Sequence, residues 1–334
     1  MEKTRVIIDC DTGIDDAIAF VLAAHSEKLD ILGVTTVAGN VSLENTTRNT
    51  CNVLHYLGRD DIKIAAGAEK PLERPLMKAS GVHGTNGLRG WSFDHDYSDN
   101  LLKDVKAWDY IASIISSIDE KISIVALGPL TNIAILLDKY PEVKDKIERI
   151  IFMGTSYHSG NPSPVATFNV LVDPEAFRKV VFSGVDFVSC PLETVREVIV
   201  TDEIKEKASS IDTKGGKFVS SLLSSYGITN IKKEEKIDTD GEEWISQERI
   251  DNVAKRGQGL PDPMTMAYAI NPSIFSGNWY YCDVECKGEL TLGMTLVDIN
   301  DYYMKKKEER NIFFLEKVDK EKFIDMLFSA MESF

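Results

Sequence analysis

Four aspartates lie within eight residues near the N-terminus, directly after an apolar run. The apolar run, Val6-Ile7-Ile8, is typical of a short buried strand. Thr12-Gly13 is typical of a turn, and the apolar residues that follow this turn recur with the period of a helix. The acids are Asp9, Asp11, Asp15 and Asp16. Because open α/β sheets bind ligands at the carboxyl ends of their strands, this arrangement predicts a functional site at the end of the first strand.

Two interpretations of these carboxylates are open. Carboxylates this close together repel one another unless a cation lies between them, and hard oxygen ligands favour Ca²⁺ or Mg²⁺ over softer metals. Alternatively, Asp15 and Asp16 only cap the N-terminus of the following helix and interact with its dipole. The first interpretation predicts a metal site and the second a purely structural role.

The chain carries a formal net charge of −15 over 334 residues, which opposes nucleic-acid phosphate or an anionic membrane as its main partner. The basic run Lys305-Lys306-Lys307 is followed by Glu308 and Glu309, a pattern typical of a solvated loop. We therefore expect neither a nucleic-acid partner nor a membrane partner.

The sequence has no run of eighteen apolar residues, and its first strand begins too close to Met1 to leave room for a signal peptide. These features predict a soluble cytoplasmic protein. The five cysteines are scattered and lack the spacing of zinc sites, so we expect reduced thiols.

Apolar runs typical of strands alternate with helical periodicity along most of the chain. This alternation predicts an α/β fold with an open, mainly parallel Rossmann-like sheet flanked by helices, in a single domain over residues 1–334. A polar segment at 205–259 is the exception, and it predicts a partly helical insertion or lid over a sheet edge. The predicted strands are 5–9, 31–36, 62–65, 122–126, 150–153 and 186–189, with a late β-like segment at 279–284. The predicted helices are 15–24, 44–57, 107–117, 130–140, 174–183 and 320–331.

Polar residues and glycines follow several of the predicted strands. Taken singly they are ordinary turn residues. The segment Leu260-Pro261-Asp262-Pro263 places a carboxylate between two prolines, which restrict its backbone. Such a segment suits a fixed metal or substrate ligand and a plain loop equally well.

In combination these motifs resemble the inosine-uridine-preferring nucleoside hydrolases, nearly from end to end. The motifs that carry the resemblance are Asp9 to Ala17, Ala38-Gly39-Asn40-Val41, Val82-His83-Gly84, Leu127 to Asn132, Gly160-Asn161, Phe168-Asn169, Asp173 to Ala176, and Asp262-Pro263. Two other acidic motifs do not fit. An EF-hand loop needs its glycine one place later and a glutamate at its twelfth position. The haloacid-dehalogenase phosphatases share an Asp-x-Asp after the first strand, but here Gly13 stands two places beyond the second aspartate and an unrelated aspartate pair follows.

The resemblance implies an open α/β fold that binds Ca²⁺ and uses water to cleave the N-ribosidic bond of a nucleoside, in nucleoside salvage. It implies that Asp11 is both a metal ligand and the general base. The implied protein ligands of the metal are Asp11, Asp16, Asp262 and the backbone carbonyl of Leu127. The positions that match ribose-binding residues are Asp15, Asn40, Asn161, Asn169 and Asp262.

The sequence departs from the family pattern at two positions of the substrate site. Pro261 stands where relatives carry a histidine that protonates the leaving base, and Thr167 stands where relatives carry a glutamate that binds the 5′-hydroxyl. Both positions therefore predict altered recognition. The alternatives for assisting the departure of the base are His83, which its motif places best, then His158, Tyr226, a water, or stacking on Trp91 or Trp244.

The same departures leave a second interpretation open, namely a non-catalytic relative that keeps calcium and binds a nucleoside or sugar. Retention of Asp11 favours hydrolysis, because a pure binder needs no carboxylate that activates water. Phosphatase chemistry on the same acids is a third alternative. The resemblance further implies a homodimer or homotetramer.

Overall fold

The computed structural model of the protein describes residues 3–226 and 258–334. The strands are β1 (Thr4–Cys10), β2 (Leu29–Thr36), β3 (Ile64–Ala66), β4 (Ile122–Ala126), β5 (Ile147–Met153), β6 (Phe187–Cys190), β7 (Phe275–Tyr280), β8 (Cys282–Val284), β9 (Thr295–Val297) and β10 (Ile312–Val318). The α-helices are α1 (Ile14–Ala24), α2 (Leu43–Tyr56), α3 (Ser80–His83), α4 (Ala107–Ser117), α5 (Thr131–Lys139), α6 (Phe168–Val172), α7 (Pro174–Val181), α8 (Leu192–Val195), α9 (Asp202–Ser210), α10 (Lys214–Ser225), α11 (Pro261–Ile270) and α12 (Lys320–Glu332).

An eight-stranded sheet forms the centre of the fold, in the order β3-β2-β1-β4-β5-β6-β10-β7. Its neighbouring strands run parallel except for β7, which is antiparallel to β10. This is the predicted open, mainly parallel sheet, and the prediction is confirmed.

The two faces of the sheet carry separate apolar cores, which explains why the first strand is apolar without alternation. Val6 and Ile8 pack on one face with α1, α2, α11 and α12. Ile7 points to the other face and packs with α4, α5 and α7. Since both faces of β1 are buried, its carboxyl end is held rigidly, and with it the acidic segment that follows.

The six predicted core strands are all present, with ends that differ by at most three residues. The predicted strand at 279–284 is wrong as a single element, because the chain breaks at Tyr281 and β8 pairs with β9 in a separate two-stranded sheet. Strand β10 was not predicted. It lies between β6 and β7 in the main sheet, and its charged flanks obscure a run that includes the buried residues Phe314 and Leu315.

The described part of the predicted insertion, residues 205–226, is helical, as expected. Helix α10 buries Phe218 and Leu222 in the core beside α1, α9 and α12, so this part belongs to the helical layer. Residues 227–257 and the predicted lid role lie outside the described residues. The single-domain organisation stays a prediction.

All five cysteines lie in the described part of the chain and are free thiols, as expected. Among the described residues, no helix is both long and apolar enough to cross a membrane.

Candidate active site

Five buried aspartates lie at the carboxyl edge of the sheet. Asp9 is the next-to-last residue of β1, and Asp11 follows that strand. Asp15 and Asp16 lie in the first turn of α1, and Asp262 lies in the first turn of α11. Helix α1 packs against α11, which brings the two helix starts together. The five residues are between 0 and 7% exposed, although buried carboxylates are rare without partners.

The closest group among these acids is formed by Asp15, Asp16 and Asp262, each of which has a carboxylate oxygen within 4.8 Å of the others. Burial raises the pKa of Asp16 to about 7, and the charge of Asp15 adds to that shift. Burial and the charges of Asp15 and Asp16 raise the pKa of Asp262 well above its usual value. A cation beside these carboxylates would favour the ionised forms of Asp16 and Asp262 at neutral pH.

Several oxygens of the buried aspartates are available to such a cation. The Oδ1 atoms of Asp11, Asp15 and Asp16 are buried and have no hydrogen-bond partner among the described residues. Buried polar atoms normally have a partner, so these oxygens are suited to act as ligands of a metal ion. Their chemistry, carboxylate oxygen only, fits a hard cation such as Ca²⁺.

The capping interpretation accounts for one oxygen of Asp16 and not for the other. Asp16 Oδ2 accepts a hydrogen bond from the Gly13 backbone N–H at 2.9 Å, which is a helix-capping contact. Asp16 Oδ1 remains without a partner in the described part of the chain. The residue therefore caps α1 and still presents an oxygen to the site.

Asp11 lies outside the compact group of three but beside it. Its Oδ2 accepts a hydrogen bond from the Asn40 backbone N–H at 2.7 Å, and the Asn40 side chain also donates to Asp16 Oδ2 at 3.2 Å. Burial, followed by the charge of Asp16, raises the Asp11 pKa well above its usual value. A Cβ atom on Gly39 would lie 2.1 Å from Asp11 Oδ2, so glycine is required where this loop crosses the carboxylate.

Asn169 joins the site to the neighbouring strands. Its Nδ2 donates to the Leu127 carbonyl at 2.5 Å and to the Met153 carbonyl at 3.1 Å, at the ends of β4 and β5. The Leu127 carbonyl is thus engaged through one lone pair and retains a second for another ligand.

Asn161 and Thr167 lie on the loop that follows β5. Asn161 is exposed, and its Oδ1 accepts from the Phe168 backbone N–H at 2.9 Å. Thr167 is buried at the N-cap of α6, and its Oγ1 accepts from the Thr155 N–H at 3.2 Å. Thr155 has a φ of +76°, a strained conformation for a β-branched residue. The Thr167 hydroxyl therefore helps to hold a strained turn beside the site.

His83 is buried beside the acidic group. Its Nδ1 accepts a hydrogen bond from the Ile14 backbone N–H at 3.1 Å and lies 3.8 Å from Asp15 Oδ1. Burial lowers the pKa of His83, which favours a neutral ring at physiological pH. Since Nδ1 is an acceptor, the ring proton of that neutral form is on Nε2.

The remaining candidates for the leaving group are placed differently. His158 is exposed beside Tyr157, and Trp91 packs in a cluster with Tyr56 and Phe218. The hydroxyl of Tyr226 donates to Asp15 Oδ2 at 2.9 Å. Trp244 lies outside the described residues.

The hydrogen bonds around Asp9 were not predicted from the sequence. Asp9 Oδ1 accepts from the Thr35 hydroxyl at 2.5 Å and from Asn132 Nδ2 at 2.8 Å, and burial raises the Asp9 pKa to about 7. Asn132 also donates to the Thr36 carbonyl and accepts from the Ala68 N–H. The signal was present in the motif that ends at Asn132, whose amide offers both donors and acceptors.

We predict that Asn132→Ala lowers the free energy of unfolding by about 3 kcal/mol, because several buried groups lose their partner at once. Urea denaturation measures the change. The control is Asn278→Ala, since Asn278 makes an exposed bond to Glu316, and it should cost under about 0.5 kcal/mol. Equal losses in the two variants would contradict the structural role of Asn132.

Comparison with known proteins decides the family. The sequence profile described as "Inosine-uridine preferring nucleoside hydrolase" matches residues 6–325. The chain belongs to this family of nucleoside hydrolases. It is thus a hydrolase of N-ribosidic bonds, and the resemblance seen in the sequence is confirmed.

Curated nucleoside hydrolases and a solved structure are similar to this chain over most of its length. A pyrimidine-specific ribonucleoside hydrolase of Shewanella sp. (strain MR-7) is 36% identical over 326 residues, which cover 98% of this chain and 95% of the relative. A non-specific ribonucleoside hydrolase of Salmonella paratyphi A is 36% identical over 88% of each chain. The structure of a plant nucleoside hydrolase superposes with a TM-score of 0.84 at 28% identity, covering 99% of each chain.

Proposed function

We propose that this nucleoside hydrolase binds Ca²⁺ at the buried acidic group and cleaves ribonucleosides with altered recognition of the leaving base and of the 5′ position. The observation that carries the proposal is a set of three buried carboxylate oxygens, on Asp11, Asp15 and Asp16, that have no hydrogen-bond partner within residues 3–226 and 258–334. They lie at the sheet edge where α/β enzymes bind their ligands.

The proposed protein ligands of the metal are Asp11, Asp16, Asp262 and the Leu127 carbonyl, while Asp15 binds ribose. Bound there, Ca²⁺ supplies positive charge that keeps the carboxylates ionised and lowers the pKa of a neighbouring water. The geometric group contains Asp15 rather than Asp11, so the two assignments need separate tests. Calcium titration of Asp11→Asn and Asp15→Asn distinguishes them, because only the variant that lacks a ligand should lose calcium affinity strongly.

Asp11 is the proposed general base. The Asn40 backbone N–H fixes its Oδ2, which leaves Oδ1 to take a proton from the attacking water. The absence of side chains on Gly39 and Gly128 leaves this carboxylate room, because a Cβ on either would lie within 3 Å of one of its oxygens. A base fixed in this way accepts the proton without reorganising during the reaction.

The proposed ribose ligands surround this base. Asp15 accepts a ribose hydroxyl through Oδ1, and Asn40, Asn161, Asn169 and Asp262 provide further polar contacts. Hydrogen bonds that strengthen as the sugar flattens towards an oxocarbenium-like state lower the barrier as well as improving binding.

His83 is the proposed residue that faces the leaving base. In its neutral form it donates from Nε2 and does not carry a transferable positive charge at neutral pH. Pro261 occupies the first turn of α11 and donates no hydrogen bond there. Departure of the base therefore relies on a hydrogen bond from His83 and on the base's own basicity.

Thr167 leaves the 5′ position without a carboxylate acceptor. We predict that Thr167→Glu raises kcat/KM for unmodified ribonucleosides by about tenfold, since a hydrogen bond to a charged group contributes about 1.5–3 kcal/mol. The measurement compares each ribonucleoside with its 5′-deoxy analogue.

Thr167→Gln is the matched control, because it adds similar bulk without charge and also removes the hydroxyl that holds Thr155. A gain in the glutamate variant alone supports the 5′ argument. No gain for any 5′-hydroxyl substrate would show that this argument is wrong.

The base preference is measured with a panel of purine, pyrimidine and 5′-modified ribonucleosides, and the release of reducing sugar is the readout. Because the curated relatives include pyrimidine-specific and non-specific enzymes, we propose that uridine and cytidine are among the substrates. If no substrate of the panel releases reducing sugar while calcium is bound, the protein is better explained as a binding protein. Cytoplasmic location and assembly as a homodimer or homotetramer stay predictions, and light scattering tests the assembly.

A further inference from the structure

We infer that Tyr226 is a positioning residue that fixes the Asp15 carboxylate towards the ribose diol, and so sets how strongly the enzyme prefers ribonucleosides to deoxyribonucleosides. The inference rests on the proposed ribose-binding role of Asp15. Tyr226 itself has no proposed contact with the substrate.

The contact between the two residues is direct and buried. The Tyr226 hydroxyl donates to Asp15 Oδ2 at 2.9 Å, and the residue is 6% exposed. Asp15 Oδ1 is buried and has no hydrogen-bond partner among the described residues. One oxygen of the carboxylate is thus held by the protein, and the other is left for a donor that enters the site.

Tyr226 reaches Asp15 from a well-anchored helix. It directly follows α10, which packs Phe218 and Leu222 into the core. The Thr213 hydroxyl caps the start of α10 and donates to the Met331 carbonyl at 2.6 Å. The side chain of Gln258, three residues before Pro261, also lies close to the Tyr226 side chain. The phenol therefore links α10, the segment before α11 and the first turn of α1.

This link matters because the χ2 torsion of an aspartate, which orients the carboxylate, has only a weak intrinsic preference. Without the phenol hydroxyl, the Asp15 carboxylate rotates more freely, and Oδ1 no longer points steadily towards the ribose hydroxyl. A ribose hydroxyl would then find its acceptor misplaced. A substrate that lacks that hydroxyl would lose nothing, since it does not use the acceptor.

The test is a comparison of Tyr226→Phe with the wild type on a ribonucleoside and its 2′-deoxy and 3′-deoxy analogues. We expect kcat/KM for the ribonucleoside to fall by about tenfold and kcat/KM for one of the deoxy analogues to stay nearly constant. The preference for ribose over that analogue should therefore fall by about tenfold. In an Asp15→Asn background, Tyr226→Phe should change this preference little further.

Tyr56→Phe is the matched control. The Tyr56 hydroxyl donates to the Lys214 carbonyl at 3.2 Å, so the variant removes a phenol hydroxyl that bonds to the same helix, away from Asp15. The preference should not change in this variant. An equal loss on all three substrates in Tyr226→Phe, or an unchanged preference, would overturn the inference.

The proposed function can fail separately. If the wild type releases no sugar from any substrate, the hydrolytic proposal fails, and the same preference is then measured as a ratio of dissociation constants by calorimetry. A ratio that Tyr226→Phe leaves unchanged would overturn the positioning role in that case as well. Thermal denaturation of both phenylalanine variants identifies a loss that comes from misfolding.

Discussion

The variant Asp11→Asn should fold normally and lose hydrolysis by at least about a thousandfold. The asparagine keeps the size of the side chain but cannot accept the proton of the attacking water, and general base catalysis alone contributes about 10² to 10⁴ in rate. The loss of one ligand charge adds to this effect. Steady-state release of ribose at saturating calcium measures the change.

The control for this variant is Asp138→Asn. Asp138 is an exposed partner of Lys179, so its loss should leave turnover within about twofold of the wild type. Calorimetric titration of Asp11→Asn with calcium separates the two roles of Asp11. If the variant binds calcium and retains most of its activity, another residue is the base.

Calcium should stabilise the protein much more at pH 8 than at pH 5. In the calcium-free protein, burial raises the Asp16 pKa from 3.8 to about 7. An acid whose folded-state pKa is raised contributes stability below its unfolded pKa, and this stability is lost as pH rises towards 7. A shift of three pKa units corresponds to about 4 kcal/mol, so we expect a calcium effect of several kcal/mol above pH 7.

Chemical denaturation at pH 5, 6, 7 and 8, with calcium and with chelator, measures this difference. Subtracting the two curves at each pH removes the contribution of distant groups. In Asp16→Asn the difference should be much smaller at pH 7 and pH 8 than in the wild type, because one charged ligand is lost. A calcium effect in the wild type that is equal at pH 5 and pH 8 would contradict a cation held by these carboxylates.

The arrangement of the central sheet could be predicted from the sequence because its strands are buried on both faces. Runs such as Val6-Ile7-Ile8 are apolar without interruption, and helices with clear periodicity separate them. Strand β10 does not show such a clear apolar pattern in the sequence. It lies next to the charged segment 305–310 and pairs with β7, which precedes it by about thirty residues, so its place depends on a long-range contact that local patterns do not encode.

The position of the site was predictable for a similar reason. Acids that follow a strand in a parallel sheet must lie at its carboxyl edge, which places Asp15 and Asp16 there, and Asp262 joins them from the first turn of α11. The partners of individual oxygens were not predictable. Tyr226 reaches Asp15 across 211 residues of sequence, and only the packing of α10 on the core brings them together.

The central claim is that the buried acidic group holds the calcium on which N-ribosidic cleavage depends. The most direct measurement is the release of ribose from uridine and inosine by the purified protein, before chelation, after chelation, and after calcium is restored. We predict that release stops on chelation and returns with calcium. Release that continues unchanged in the chelated protein would contradict the claim.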